Sequence, residues 1–325
     1  MKKEARHATL YRAYRPATFD EVRGQSQVTD VLEKSIKNKK IAHAYLFAGG
    51  RGTGKTSVAR ILARALGVSE KDLYEIDAAS NRGIDDIRLL REGVYAAPFD
   101  SPYKFYIIDE AHMLTKEAWN AFLKTLEEPP AHCVFVLATT DRDKVPETIQ
   151  SRCEIYSFKQ PTREILAQIV TDIAKAEGYS LERSAAELMA LLAEGSFRDA
   201  LSILQKVLAV SDNKKIEVAE VEAVSGAPRG ELVRQLLSSL AKKDAAAALK
   251  TIGHAVAANM DARTLAKLLI HRMRTVLLLR YAPDLAETLR EQHTAEDIAL
   301  AASLSKEAGV NSDTLRTLLD AYGTM

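Results

Sequence analysis

The chain has 325 residues, of which 47% are hydrophobic and 27% are charged, and its formal net charge is +1. This length predicts two or three domains with cores of their own, and the balanced charge excludes a strongly basic or acidic protein. Net charge therefore gives no indication of a nucleic-acid partner. No apolar run is as long as a membrane span and the N-terminus lacks an apolar signal core, so we expect a cytoplasmic protein without a membrane partner.

Strand-like and helix-like segments alternate over residues 1–160. Strands are predicted at Ala44–Ala48, Leu73–Asp77, Lys104–Ile108, Cys133–Thr139 and Glu154–Phe158. Helices are predicted at Gln27–Asn38, Ser57–Leu66, Ile84–Glu92, Lys116–Glu127 and Pro146–Ser151. This alternation predicts an α/β domain with a parallel sheet.

Strand patterns end after residue 160 and amphipathic helices follow. They are predicted at Arg163–Glu177, Ser184–Glu194, Phe197–Val210, Glu231–Lys242, Ala245–Ala258, Ala262–Tyr281, Thr294–Lys306 and Ser312–Tyr322. Turn-forming residues within 211–229 predict a boundary. We therefore expect a small helical domain at 161–225 and a helical C-terminal domain at 226–325.

A glycine-rich segment, Gly49–Thr56, matches the P-loop pattern G-x-x-x-x-G-K-[ST]. It lies between the strand Ala44–Ala48 and the helix Ser57–Leu66, which is the context that the pattern requires. Its glycines allow backbone N–H groups to surround phosphate oxygens, and the helix N-terminus adds partial positive charge. Lys55 is predicted to contact the β- and γ-phosphates of ATP, and Thr56 to bind Mg²⁺.

The apolar strand that ends at Ile108 is followed by two carboxylates. Asp109 is predicted to hold Mg²⁺, directly or through water, and Glu110 to act as the general base on the attacking water. Residues 109–112 also spell the DEAH box of helicases. Such helicases need two tandem α/β motor domains, and residues 161–325 show no second alternating set.

Three further polar positions fit an ATPase, although each also has a simpler structural interpretation. Thr139 and Thr140 end a core strand beside the expected γ-phosphate, where a hydroxyl can sense it. Arg152 lies at the edge of the nucleotide domain, from which an arginine can reach a neighbouring subunit's site. Arg198 begins a helix and can contact phosphates; it can equally pair with Asp199 or Glu194.

Together these residues resemble the AAA+ ATPases and, within them, the bacterial clamp loader subunits of the DNA polymerase III gamma/tau type. The matching segments are Tyr14–Phe19, Val22, Gly24–Gln25, His43–Phe47, Glu75–Ser80, Ile108–Leu114, Ala121–Pro130, Leu137–Asp141, Ser151–Cys153 and Gly195–Ser202. The likeness is dense over residues 10–210. It is only architectural over 226–325, where that family has its collar domain.

The resemblance implies a set of site residues. Adenine and ribose would be bordered by Tyr11, Arg15, Pro16 and Val22, and the phosphates held by Gly50, Arg51, Gly52, Thr53, Gly54, Lys55, Thr56 and Ser57. Thr140, with Thr139 as the alternative, would be sensor 1, and Arg198 would be sensor 2. Arg152 would be the arginine finger given to the adjacent subunit, and the domain at 161–225 would be the lid.

The chain departs from that family in two respects. The family's four-cysteine zinc module is replaced by the short segment Gly67–Asp72, and the only cysteines are Cys133 and Cys153, so no zinc is expected. The longer form of the family also has tail domains that bind the polymerase and helicase; the sequence ends at Met325 in the region that resembles the collar, so the resemblance carries no expectation that this sequence tethers those partners.

The resemblance implies a motor subunit of a DNA sliding-clamp loader that uses ATP and Mg²⁺. Its partners would be delta- and delta-prime-type subunits, copies of itself, the sliding clamp, and primer-template DNA bound through phosphates. Positions near Asn81–Gly83 and Arg88 are candidates for that DNA contact, although they could equally cap and solvate a helix. The alternatives are another AAA+ machine, such as a replication factor C small subunit or a branch-migration helicase, and a non-hydrolysing structural subunit.

Overall fold

The computed structural model describes residues 9–211, 213–258, 260–285, 287, 289, 294–307 and 309–324. Contacts between Cα atoms divide them into two compact units. Unit 1 contains the described residues up to Ile165 together with Gly195–Asp199, and unit 2 contains Leu166–Glu194 and the described residues from Ala200 onward.

A five-stranded parallel sheet forms the centre of unit 1. Its strands are β1 (Ala44–Gly49), β2 (Leu73–Asp77), β3 (Lys104–Asp109), β4 (Cys133–Thr139) and β5 (Glu154–Phe158), in the order β2-β3-β4-β1-β5. All four strand pairs are parallel, with Ala48 opposite Thr139 and Asp77 opposite Asp109. The carboxyl ends of β1, β3 and β4 therefore lie side by side, where open α/β sheets bind ligands.

Helices and two apolar cores cover this sheet. The helices of unit 1 are α1 (Leu10–Ala13), α2 (Ser26–Lys37), α3 (Lys55–Ala65), α4 (Ile84–Tyr95), α5 (Lys116–Glu127) and α6 (Glu147–Gln150). One core packs around Tyr45, Phe47 and Phe105, and the other around Phe122 and Phe135. Burial on both faces explains why β1, β3 and β4 are almost continuous apolar runs, whereas β2 and β5, the two edge strands, are more exposed and more polar.

Unit 2 is mostly helical. Its helices are α7 (Arg163–Ala176, from Leu166 onward), α8 (Arg183–Leu192), α9 (Phe197–Val210, from Ala200 onward), α10 (Val218–Ser225), α11 (Gly230–Ala241), α12 (Ala245–Ala257), α13 (Ala262–Tyr281), α14 (Ala295–Leu304) and α15 (Ser312–Thr324). Two short strands, β6 (Ser180–Leu181) and β7 (Lys215–Ile216), pair in parallel. Within the described residues, no helix combines the length and apolar character needed to cross a membrane.

Several boundaries differ from the sequence predictions. Helix α3 begins at Lys55 rather than Ser57, because Gly54 adopts a left-handed conformation (φ 102°) immediately before it. Pro146 precedes α6 instead of beginning it. The prediction of no strands after residue 160 was wrong, since β6 and β7 pair there.

Helix α10 lies inside the segment 211–229 that was predicted as a boundary. Glu220 stabilises its start, because one of its carboxylate oxygens accepts a hydrogen bond from the backbone N–H of Glu217 at 2.9 Å. The break in contacts after Ile165 lies close to the predicted boundary at 160. The division into domains at 1–160, 161–225 and 226–325 stays a prediction.

Candidate nucleotide-binding site

The glycine-rich loop joins β1 to α3 at the carboxyl edge of the sheet. Gly52 (φ 69°) and Gly54 (φ 102°) adopt left-handed conformations that side chains disfavour. A Cβ at Gly52 would also collide with the Ser196 side chain, so glycine is required there. Thr53 is buried, and its hydroxyl donates to the Gly50 carbonyl at 2.9 Å. Arg51 is exposed, whereas Ser57 is half-buried in α3.

Lys55 lies in the first turn of α3 with its side chain turned into this loop. Its ammonium donates to the carbonyls of Gly49 and Gly50 at 2.7 and 2.8 Å. Only 6% of the residue is exposed. Burial lowers the pKa of Lys55, and the nearby Glu110 and Asp109 oppose that effect. Two backbone carbonyls therefore hold the Lys55 ammonium at the loop, and phosphate oxygens can replace them as hydrogen-bond acceptors.

Thr56 and Asp109 meet across the gap between α3 and β3. The Thr56 hydroxyl donates to Asp109 Oδ2 at 2.8 Å, while Asp109 Oδ1 accepts from the Glu110 backbone N–H at 3.0 Å. A hydroxyl and a carboxylate at this distance fit Mg²⁺, which takes few protein ligands and keeps waters and phosphate oxygens as the rest. Within the described part of the chain, no group of three or more His, Cys, Asp or Glu side chains could hold a metal.

Glu110 follows β3 in a left-handed conformation (φ 48°) and is bonded across the sheet edge to the residue after β4. Its Oε2 accepts from the Thr140 hydroxyl at 3.1 Å. The hydroxyl of Thr139 is instead occupied within its own turn, donating to the Asp141 carbonyl at 3.0 Å. Of the two threonines considered for sensor 1, Thr140 is the one that contacts the carboxylate.

The start of α9 belongs to the same unit as the glycine-rich loop. The Phe197 backbone N–H donates to the Gly52 carbonyl at 3.0 Å. The Arg198 guanidinium lies 5.0 Å from the centroid of the Tyr11 ring. The structure thus brings together Tyr11 and Arg198, which were assigned separately to the base and to the phosphates.

The other residues predicted near adenine lie in the segment after α1. Arg15 is partly buried, and burial lowers its pKa, with Arg60 adding to that effect. Val22 packs against the core that contains Phe47, and Pro16 is half-exposed. The base-binding roles of Tyr11, Arg15, Pro16 and Val22 stay predictions.

Arg152 lies just beyond α6 on the surface of unit 1. Its Nη2 is 2.6 Å from Glu127 Oε1, and its Nη1 donates to the Thr148 carbonyl at 2.5 Å. A third of the arginine side chain and about half of the Glu127 side chain are exposed. The guanidinium is therefore held at the surface by the end of α5.

Gln25 had no role in the sequence predictions, although it lies in a segment that carries the resemblance. Its buried amide donates to the Thr53 carbonyl at 3.2 Å and to the Lys159 carbonyl at 2.7 Å, and accepts from the Lys159 N–H at 3.1 Å. It thereby ties the glycine-rich loop to the chain leaving β5. Gln25 lies in the polar segment Arg23–Gln27, so no local pattern in the sequence distinguishes it as a buried residue.

The two cysteines lie in different surroundings. Cys133 is buried in β4, where its thiol contacts the Val94 carbonyl at 3.3 Å, and burial raises its pKa to about 11. Burial raises the pKa of Cys153 to about 12. Both thiols are therefore protonated at neutral pH and are poor nucleophiles. The expectation that the chain binds no zinc stays a prediction.

Comparisons with known proteins fit this geometry. Segments 24–81 and 68–162 match the family model described as DNA polymerase III, delta subunit. Residues 165–213 match that of the DNA polymerase III clamp loader subunit, ATPase lid domain.

Curated relatives extend the likeness over most of the chain. It is 39% identical over 306 residues to DNA polymerase III subunit tau of Bacillus subtilis, which covers 88% of this chain and 54% of that protein. It is 38% identical over 300 residues to subunit gamma/tau of Mycobacterium tuberculosis (85% and 52%) and 35% over 298 residues to subunit tau of Escherichia coli (85% and 46%). The chain spans about half the length of these relatives.

A solved structure shows the same fold at lower identity. The Thermotoga maritima RuvB Holliday junction branch migration motor superposes with a TM-score of 0.56 at 23% identity, covering 70% of this chain and 79% of that one. This likeness establishes the AAA+ fold alone. The identities of 35–39% with the gamma/tau proteins are the more specific finding, and the chain belongs to the family of bacterial DNA polymerase III gamma/tau subunits.

Proposed function

We propose that the chain is an ATP-hydrolysing motor subunit of a DNA sliding-clamp loader. The observation that carries this proposal is the convergence of Lys55, Thr56, Asp109 and Glu110 at one edge of the sheet in a member of the gamma/tau family. A structural subunit without ATPase activity would not need this complete set. Binding of ATP would close the assembly on the clamp and primed DNA, and hydrolysis would release both.

The chain's own residues divide the work between binding and chemistry. Lys55 would exchange its carbonyl partners for the β- and γ-phosphates, while Gly50–Ser57 would present backbone N–H groups to the remaining phosphate oxygens. Glu110 would take a proton from the attacking water, and Thr140 would hold its carboxylate. Tyr11, Arg15, Pro16 and Val22 would border the base, and Arg198 would contact the phosphates.

A divalent cation fits the pair formed by Thr56 and Asp109. Mg²⁺ would neutralise charge that develops on the phosphates. Thr56 and Asp109 would hold it through the hydroxyl and carboxylate oxygens that are now 2.8 Å apart. Asp109 Oδ1 would keep its bond from the Glu110 N–H, which fixes the direction of the carboxylate.

The proposed assembly contains copies of this chain together with delta- and delta-prime-type subunits. Arg152 would complete the site of the adjacent subunit, where an arginine stabilises charge in the transition state. Its partly exposed position beside Glu127 supports this role, because a finger must be reachable from another chain.

Contacts with DNA would be made mainly to phosphates, because a clamp loader acts at any sequence. Arg82 is exposed in the turn before α4. The Asn81 amide donates to the Asp77 carbonyl at 3.1 Å and Arg88 pairs with Asp85 at 3.0 Å, so both also serve the local structure. Arg82→Ala in the assembly should reduce the salt dependence of DNA binding by about one counterion, and salt-insensitive or strongly sequence-selective binding by the assembly would oppose the proposal.

The central test separates nucleotide binding from turnover. Lys55→Ala should weaken ATP binding by about 10–100-fold, because a charge-assisted contact is lost. Glu110→Gln should preserve binding and reduce turnover by about 10²–10⁴-fold. Lys37→Ala, which removes an exposed lysine at the end of α2, is the matched control.

Co-purification tests the identity of the machine. We expect the chain to recover delta-type subunits and the sliding clamp, and we expect clamp with primed DNA to stimulate its ATPase activity. Tight ATP binding by the Lys55→Ala variant would contradict the assigned site, and an ATPase indifferent to clamp and DNA would contradict the clamp-loading role.

A further inference from the structure

A histidine contacts the carboxylate that the proposed function uses as its general base. His112 lies in the short 3₁₀ turn Ala111–Met113 that follows β3, and 11% of its side chain is exposed. Its Nδ1 is 3.0 Å from the Thr139 hydroxyl and 3.5 Å from Glu110 Oε2. The roles assigned to Asp109, Glu110 and the threonines make no use of this side chain.

The hydrogen bonds around Thr139 determine which nitrogen of His112 carries a proton. A hydroxyl has one proton, and Thr139 donates its own to the Asp141 carbonyl at 3.0 Å. The same oxygen also accepts from the Asp141 N–H at 3.0 Å. His112 Nδ1 must therefore be a donor in its contact with Thr139, which means that Nδ1 is protonated.

The hydrogen bond of this Nδ1–H is to the Thr139 hydroxyl, and Glu110 Oε2 lies 3.5 Å from the same nitrogen as an electrostatic contact. Glu110 Oε2 also accepts from the Thr140 hydroxyl at 3.1 Å. One carboxylate oxygen thus accepts a hydrogen bond from the residue after β4 and contacts His112 in the turn after β3. The other oxygen, Oε1, takes no part in these contacts.

We propose that His112 is a positioning residue that holds Glu110 through its Nδ1–H, so that Oε1 faces the attacking water. The inference rests on the proposed hydrolysis of ATP. An N–H donor suits this task, because it fixes the direction of a carboxylate that must keep its negative charge to act as a base. Thr139 sets the orientation and tautomer of the ring, and His112 in turn sets the orientation of Glu110.

Two isosteric substitutions separate this role from simple packing. An asparagine places its amide nitrogen near the position of Nδ1, whereas a glutamine places it near that of Nε2. His112→Gln should lower kcat of the assembled full chain by about 10–100-fold, as substitutions of orienting partners do, while the Kd for ATP stays unchanged. His112→Asn should retain most of the wild-type kcat, and both variants should melt at similar temperatures.

A double-mutant comparison shows whether His112 acts through Glu110. In a Glu110→Gln background, His112→Gln should cause no further loss of the residual rate, because the group it positions has gone. Equal kcat values for the His112→Asn and His112→Gln variants would overturn the inference. So would a double mutant whose fold-loss in kcat equals the product of the fold-losses of the two single mutants.

Lys55→Ala and Glu110→Gln in the same assay distinguish the inference from the function on which it rests. If both controls lose turnover and His112→Gln does not, the positioning role alone is overturned. If the wild-type assembly has no ATPase activity, or if the controls hydrolyse ATP as it does, the proposed function and this inference are overturned together.

Discussion

Arginine–carboxylate pairs occur in both units, but their surroundings differ. In unit 1, Arg152 and Glu127 are 2.6 Å apart, with side chains that are 33% and 48% exposed. In unit 2, Arg272 and Asp297 are 2.5 Å apart, and only 2% of the Asp297 side chain is exposed. Arg234 adds a second contact to Asp297 at 3.3 Å, so this buried carboxylate has two arginines.

The difference indicates what each pair does. Burial lowers the pKa of Arg272 and Asp297 opposes that effect, as expected where a buried charge needs a partner. The pair links α13 to α14, and Arg234 extends it to α11. An exposed pair contributes little to stability, so Arg152 can exchange Glu127 for another anion at low cost. Under the proposed function, the charge committed to the fold is the enclosed one, whereas the charge used between subunits keeps a replaceable partner.

Removing Arg152 should produce the largest effect. Arg152→Ala should reduce turnover in the neighbouring subunit by about 10³–10⁵-fold while leaving its own subunit's ATP affinity nearly intact. The measurement mixes Arg152→Ala chains with Lys55→Ala chains at fixed total concentration. A site that pairs an intact P-loop with an intact Arg152 from its neighbour then regains activity.

Arg316→Ala, which removes another exposed arginine with an acidic neighbour, is the control. The isolated chain should hydrolyse ATP slowly, because its sites lack the finger. No rescue in the mixture, together with full activity of a dilute monomer, would contradict the action in trans.

Removing one partner of the buried pair in unit 2 should lower the free energy of unfolding and leave the nucleotide site unchanged. Asp297→Ala leaves Arg272 buried without this carboxylate, which should lower the free energy of unfolding by about 3–5 kcal/mol. The matched control is Glu296→Ala, because Glu296 is the adjacent acid and also pairs with Arg234 (3.0 Å), but 75% of its side chain is exposed. Denaturant titrations measure both. If the two variants lose the same free energy of unfolding, burial of the carboxylate does not determine how much the ion pair contributes to stability.

The sequence predicted the elements that depend on local patterns. Strands such as Cys133–Thr139 were found with their observed bounds, because a run buried on both faces is continuously apolar. The P-loop and the carboxylates after β3 were also recognisable, since each occupies one short segment at a fixed spacing. Parallel strand order then brings Lys55, Thr56, Asp109 and Thr140 to one edge.

Contacts between distant segments could not be predicted in this way. Gln25 bonds Lys159, 134 positions away, and nothing local marks that partner. Glu127 and Arg152 are 25 positions apart, and His112 and Thr139 are 27 apart, so their pairing depends on register between elements. Helix α10 was missed because the turn-forming residues on either side dominate its segment.

Asp72 is a second buried carboxylate, at the end of the short segment Gly67–Asp72. Its partners are backbone N–H groups, whereas those of Asp297 are arginine side chains. Asp72 is buried and accepts from the backbone N–H groups of Phe99, Asp100 and Ser101 at 2.6, 3.0 and 3.0 Å. Burial alone would raise its pKa, but these hydrogen bonds outweigh that effect and lower the pKa to about 2. Asp72→Asn should lower the free energy of unfolding by about 1–3 kcal/mol, because an amide cannot accept from all three donors.

The pH dependence of that loss identifies its cause. A carboxylate with a lowered folded-state pKa adds stability above its unfolded value of 3.8, and that stability disappears as the pH falls towards 2. The difference in unfolding free energy between wild type and Asp72→Asn should therefore be constant above pH 5 and shrink below pH 3.8. Asp20→Asn, at an exposed carboxylate, serves as the control. A difference that does not change with pH would show that the charge of Asp72 is not what stabilises the segment.

The smallest effect is expected for the exposed pair in unit 1. Glu127→Gln should change the free energy of unfolding by less than about 1 kcal/mol, because both side chains are partly solvated. Denaturant titration beside Asp297→Ala measures this directly. A loss as large as that of Asp297→Ala would mean that Arg152 is committed to its own chain. The proposed transfer of the finger to a neighbouring subunit would then require breaking a strong contact, and the contrast between the two units would no longer explain why this arginine is exposed.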